Sequence, residues 1–161
     1  MKTVTMLAAF AMTVAVSVPL SAAANQTFRD AAGHVIWTVQ SQGVKATYRN
    51  ADGKVGGVAQ KDSSGKETYR RADGNVCGVA QRDQSGKVTY RSADGKVVGT
   101  AQKEPNGKVT YRGKEGKVVG SAQVDGSGRT TYRNAQGNVV YTVQGEKSIA
   151  DMGFAAFGLF K

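Results

Sequence analysis

A chain of 161 residues carrying 22 Lys and Arg against 12 Asp and Glu, formally +10, is expected to be drawn to anionic surfaces. A single cysteine, Cys77, excludes an intramolecular disulfide framework. A single histidine, His34, placed just after Gly33 in an expected turn, leaves His-cluster metal sites and a Ser-His-Asp arrangement without material.

In chain order, Lys2 precedes an uncharged run from Val4 to Val18, and small residues then lead to Ala22-Ala23-Ala24. That is the order of a secretory signal, with cleavage expected after Ala24. The run falls short of the ~20 apolar residues of a spanning helix, and Pro19 ends it. Loss of residues 1–24 takes away Lys2 and no acid, leaving 137 residues at +9. The expected organisation is a signal peptide at 1–24, a repeat domain at 25–147 and an apolar tail at 148–161. The expected location is periplasmic or extracellular.

A repeat dominates the rest of the chain. Tyr48, Tyr69, Tyr90, Tyr111 and Tyr132 stand 21 residues apart, and Arg49, Arg70, Arg91, Arg112 and Arg133 follow them. Phe28-Arg29 is an earlier copy, offset by 20. Gly comes five residues after each aromatic, from Gly33 and Gly53 to Gly137, and Val comes two residues later, as at Gly95 and Val97. A fixed period of this length marks a repeat architecture.

Each module reads as a β-hairpin. Thr89-Tyr90-Arg91 and Val97-Val98-Gly99-Thr100-Ala101 are β-prone, with Asp94-Gly95 as a turn between them. Gly-containing turns such as Asp62-Ser63-Ser64-Gly65 join the modules. The expected fold is all-β: about six hairpin modules, or about twelve short antiparallel strands, in a pseudo-symmetric, flower- or propeller-like array. Petals about an axis are favoured over a flat sheet with open edges, with a lengthening spiral as the alternative.

With Asp94-Gly95 as the two central turn residues, Tyr90 lies opposite Gly99, and Tyr48, Tyr69 and Tyr111 lie opposite Gly57, Gly78 and Gly120. Phe28 then faces Trp37 and Tyr132 faces Tyr141, bulky pairs expected to cap the two ends of the array. Period two puts Val97, Gly99 and Ala101 on the face of Tyr90, with Val98 and Thr100 on the other. Cys77 occupies the place of Gly56, Val98 and Val119, which suits a small apolar strand residue.

The tail, from Ser148 to Lys161, contains Ile149, Met152, Phe154, Phe157, Leu159 and Phe160. It is expected to plug the apolar end of the array; a membrane contact and a protein-docking or self-association patch are the alternatives. Carboxylates fall about one per loop, fewer than a calcium loop needs. No catalytic residue, metal site, cofactor site or specific nucleic-acid signal is expected, and the reading is a non-enzymatic exported structural or binding module of the bacterial cell envelope, with a binder of anionic envelope glycan or lipid as the alternative. The candidate ligand face is the Arg set Arg49, Arg70, Arg91, Arg112 and Arg133, opposite the tyrosines. It could hold an anionic envelope polymer or lipid through several weak contacts; a solvated face that blocks edge aggregation is the favoured reading of the same arginines.

The module Tyr-Arg-x-x-x-Gly-x-Val-x-Gly-x-Ala, with the signal segment and the Phe-rich tail, resembles the bacterial five-fold beta-flower proteins over roughly residues 27–160. The resemblance implies five blade-like hairpins about a pseudo-five-fold axis, whereas the module count leaves five or six open. It implies no activity and no catalytic residues. A weaker likeness is to YD-repeat proteins, which place Asp after Tyr where this chain places Arg.

Overall fold

A computed structural model of the chain describes residues 24–145. The expected signal segment up to residue 23 and the tail at 148–161 lie outside them. Twelve strands follow one another: β1 (Ala24–Asp30), β2 (Val35–Gln42), β3 (Lys45–Asn50), β4 (Val55–Lys61), β5 (Glu67–Arg71), β6 (Val76–Arg82), β7 (Val88–Ser92), β8 (Val97–Lys103), β9 (Val109–Gly113), β10 (Val118–Val124), β11 (Thr130–Asn134) and β12 (Val139–Gln144). Every neighbouring pair is antiparallel, and β1 pairs with β12, so the sheet closes into a barrel. The twelve strands form six hairpins, and closure rules out an open spiral.

The turns explain the spacing. In the β7–β8 hairpin the Ser92 amide donates to Lys96 O at 2.9 Å and the Gly95 amide to Ser92 O at 2.9 Å. The loop is therefore three residues, 93–95, and it ends on Gly95 at φ 83°, a left-handed conformation that glycine adopts without a Cβ clash. The same bond pair closes the connection from Asp62 to Lys66 at the opposite rim. Only β2 to β3 differs. Gln42 pairs directly with Lys45 across the two residues Gly43 and Val44, which accounts for the first offset of 20 instead of 21.

The expected register holds, but by a different route. Tyr48, Tyr69, Tyr90 and Tyr111 do pair with Gly57, Gly78, Gly99 and Gly120. A three-residue turn shifts the pairing by one, and a β-bulge in the following strand shifts it back: Arg91 faces Val97, Tyr90 faces Gly99, and Val98 is the extra residue. The bulge also corrects the expected faces. Val97 pairs with the outward Arg91 and is 38% exposed, whereas Val98 packs against the core. Cys77 is the corresponding extra residue of its own hairpin and is buried, its thiol donating to Tyr69 O at 3.4 Å. At Gly56 an added Cβ would lie 2.5 Å from the Trp37 ring, so the missing side chain is what lets Trp37 lie across that bulge.

Inside, the stagger is regular. Val88 pairs with Ala101, and Ala101 pairs on its other side with Tyr111. Tyr111 holds the module place of Tyr90, two residues beyond Val88. Glu67–Ala80–Tyr90 and Thr130–Val143–Phe28 repeat the step, the second across the closing seam. This steady advance is the shear that tilts strands in a closed barrel, typically by roughly 35–45°.

Eight strands already leave an interior that ordinary side chains fill, so twelve enclose more space. The tyrosines take it up. Tyr69 and Tyr90 are fully buried, and each ring is flanked across the sheet by a Gly and an Ala, as Tyr69 is by Gly78 and Ala59. Small residues on both neighbouring strands leave room for a large ring between them. The bulky pairs expected as end caps occur as paired, Phe28 with Trp37 and Tyr132 with Tyr141. A closed ring has no ends to cap, however, and Phe28, Tyr132 and Tyr141 meet at the seam, while Trp37 lies toward Gly56. Phe28 and Tyr141 centroids are 5.9 Å apart, and Tyr132 stacks on Tyr141 at 4.2 Å.

Candidate functional site

The arginines sit one residue beyond the buried aromatics, so strand alternation turns them outward, where they are exposed or half-buried. All belong to the rim formed by the six hairpin turns. Each donates from Nη1 to the carbonyl of the glycine that ends its own turn: Arg29 to Gly33, Arg49 to Gly53, Arg70 to Gly74, Arg91 to Gly95, Arg112 to Gly116 and Arg133 to Gly137, at 2.9–3.2 Å. The bond spans four residues and orients the guanidinium along the turn. A guanidinium has five N–H donors in a planar fork, so one such bond leaves most of its donor capacity facing outward. Adjacent arginines lie two strands apart, roughly 10 Å along the rim.

The turns carry their own charge. Residues 29–34, 49–54, 70–75, 91–96, 112–117 and 133–138 hold eleven Lys and Arg against five carboxylates. Asp30, Asp73, Asp94 and Glu115 are engaged locally. The Asp94 carboxyl is pulled down to about 2, first by the hydrogen bond from the Lys96 ammonium and then by that from the Ser92 hydroxyl. Lys96 Nζ lies 2.9 Å from Asp94 Oδ2, and its own pKa is raised by that contact. The Asp30 carboxyl is lowered chiefly by the His34 amide, and His34 Nδ1 lies 3.1 Å from Asp30 Oδ2 with its ring largely in solvent. With these acids held by neighbouring turn groups, cations make up the excess charge of the rim.

The opposite rim is less biased: residues 41–45, 61–67, 82–87, 103–108 and 124–129 hold eight Lys and Arg against five carboxylates. Asp62, Asp83 and Asp125 each accept from a hydroxyl two residues on, at Ser64, Ser85 and Ser127, and those hydroxyls are the main cause of their lowered pKa. Between the rims the outer face is Thr, Gln and partly covered Val, with cross-strand pairs such as Thr89–Thr100 and Thr68–Val79. A membrane barrel turns an apolar band about 25 Å tall outward; here the aromatic side faces in.

The tyrosines and glycines singled out from the sequence are thus interior, and the five arginines share one rim with a sixth, Arg29. Near the seam, Tyr111, Tyr132 and Tyr141 line a cleft of about 360 Å³ with Val119, Val140 and Arg133. Burial raises all three phenols, Tyr132 and Tyr141 well above their ordinary value. Among the described residues no three His, Cys, Asp or Glu side chains come together as metal ligands. Two features lie outside the sequence expectations. The Arg-to-turn bond is hidden because its acceptor is backbone. Glu67, buried inside the barrel, is detectable as the one acid among Gln26, Ala46, Val88, Val109 and Thr130 at that module position. A scan against protein-family models and a search of the curated proteins gave no match to this chain.

Proposed function

We propose that the protein is a non-enzymatic, exported binding module of pseudo-six-fold design, whose guanidinium rim holds acidic polymers or lipids of the cell envelope. The observation that carries this reading is the set of six arginines on one rim, each oriented by the same hydrogen bond to a turn carbonyl. Spaced cations on a rigid ring suit a repeating anion, because several weak contacts to one polymer add up through effective concentration. The signal-like start of the chain supports an oxidising, extracytoplasmic setting.

The test is retention of the protein on heparin and on immobilised lipopolysaccharide as salt is raised. The triple variant Arg70→Gln, Arg91→Gln, Arg112→Gln should elute at clearly lower salt than the parent, since screening weakens exposed charge contacts. Equal retention would refute the reading. The turn bonds themselves favour a second reading, in which the arginines only clasp their turns. A triple variant that melts earlier yet is retained as before would establish it.

A further inference from the structure

At the rim away from the arginines, Glu67 begins β5 and faces the barrel interior at only 7% exposure. Its Oε2 accepts from the Tyr69 hydroxyl at 2.8 Å. Among the described residues no Lys, Arg or His nitrogen comes within 4.0 Å of its carboxylate. A buried carboxylate is costly unless paired and hydrogen-bonded, and the same module position is filled elsewhere by the uncharged Gln26, Ala46, Val88, Val109 and Thr130.

A cavity of about 280 Å³ opens over this carboxylate. Its floor includes Ala80 and Val88, and its mouth includes Lys61, Ser64, Arg82 and Asp83, whose carboxylate accepts from the Ser85 hydroxyl and the Lys87 amide. Register places the cations around the acid. Lys61 is the cross-strand partner of Glu67, and Arg82 lies two residues beyond Ala80, the partner of Glu67 on the other side. The cavity therefore presents a carboxylate at depth and, at its mouth, two cations beside the turn-held Asp83 carboxylate, with no ion pair joining Glu67 to either cation. Its size is near the lower end of small-molecule sites.

We propose that this cavity binds a small zwitterion of the ammonium–phosphate type, ammonium inward against Glu67 and phosphate outward between Lys61 and Arg82. A lone anion would meet Glu67 unfavourably, and a lone cation would have to pass Lys61 and Arg82. A zwitterion of the right polarity satisfies both ends. Such chemistry occurs free or as a lipid headgroup, and the proposal stands apart from the arginine rim at the other end of the barrel.

The experiment is an amide-shift NMR titration of the protein with phosphoethanolamine, with ethanolamine and inorganic phosphate as single-charge controls and phosphatidylethanolamine vesicles as a lipid arm. Saturable shifts at Glu67, Ala80 and Arg82 are expected, with each control at least about tenfold weaker. Glu67→Gln should weaken binding about tenfold, and the exposed pair Lys61→Gln, Arg82→Gln should do the same should Glu67→Gln fail to fold. Response to the soluble probe assigns a free zwitterion, and response to vesicles alone assigns a headgroup. Phosphate binding as tightly as phosphoethanolamine would overturn the proposal. So would unchanged affinity in either folded variant, or no saturable response to probe or vesicles up to about 10 mM.

Discussion

Replacing Tyr90 by alanine probes the interior of the barrel at a fully enclosed point. Tyr90 has no exposed surface, and its ring lies between Gly99 on one strand and Ala80 on the other. Neither neighbour has a side chain long enough to fill the space a missing ring would leave. A buried aromatic covers roughly 150–250 Å²; at about 25 cal/mol per Å² the lower figure alone is near 4 kcal/mol. That agrees with the roughly 3–5 kcal/mol lost when large aromatics are cut to alanine in packed cores. For a domain of this size the melting temperature should fall by about 15 °C. Thermal unfolding followed by circular dichroism measures it. Thr89→Ala, one residue away and facing outward, is the control and should cost less than about 1 kcal/mol. A Tyr90→Ala protein melting within a few degrees of the parent would refute the filled interior.

Gly120→Ala should destabilise comparably, because a Cβ there would lie 2.5 Å from the Arg133 carbonyl oxygen, which belongs to the neighbouring strand; a melting temperature equal to the parent's would mean that the strands separate freely. Acid should loosen the turns. Asp94, lowered to about 2, and Asp62, Asp73, Asp83 and Asp125, lowered by their turn hydrogen bonds, contribute stability above their unfolded pKa that is lost as pH falls through the folded values. Melting temperature should accordingly drop between about pH 4 and pH 2, and Asp94→Asn should reduce the drop. Alkali acts on the interior in the opposite sense. Tyr111, Tyr132 and Tyr141 have raised folded pKa values, so the stability they lend is intact below the ordinary tyrosine pKa and is lost as pH rises above it. Phenolate absorbance of the native protein at about pH 11 should lag far behind that of the urea-unfolded chain, and coincident titrations would contradict their burial.

Local order is legible in this chain because the module repeats its own signals. Six copies of aromatic, Arg, Gly and Val fix the strands, and the Tyr90–Gly99 pairing comes from counting outward from Asp94-Gly95. That count succeeds because two single-residue shifts cancel, the longer turn and the bulge at Val98. Strict alternation has no place for the bulge, which is why it puts Val97 inward where the barrel turns it outward. Ring closure joins residues 27–30 to 141–144, far apart in sequence, and no local pattern specifies that pairing. The aromatic pairs of the first and last hairpins hold the clue. They differ from the interior copies together because they meet each other at the seam. The arginines are legible as a set on the face opposite the tyrosines, but their shared acceptor, a turn carbonyl, is a backbone group without identity in the sequence.

The guanidinium ring and the tyrosine-filled interior both depend on closure between β1 and β12. Nuclear Overhauser contacts across that seam test it most directly, because facing residues of antiparallel strands bring backbone protons together. Contacts joining Thr27 to Gln144 and Arg29 to Thr142 are expected, alongside those joining Tyr90 to Gly99 within a hairpin. Within-hairpin contacts present and seam contacts absent would mean that the array is open, and the closed ring would be wrong.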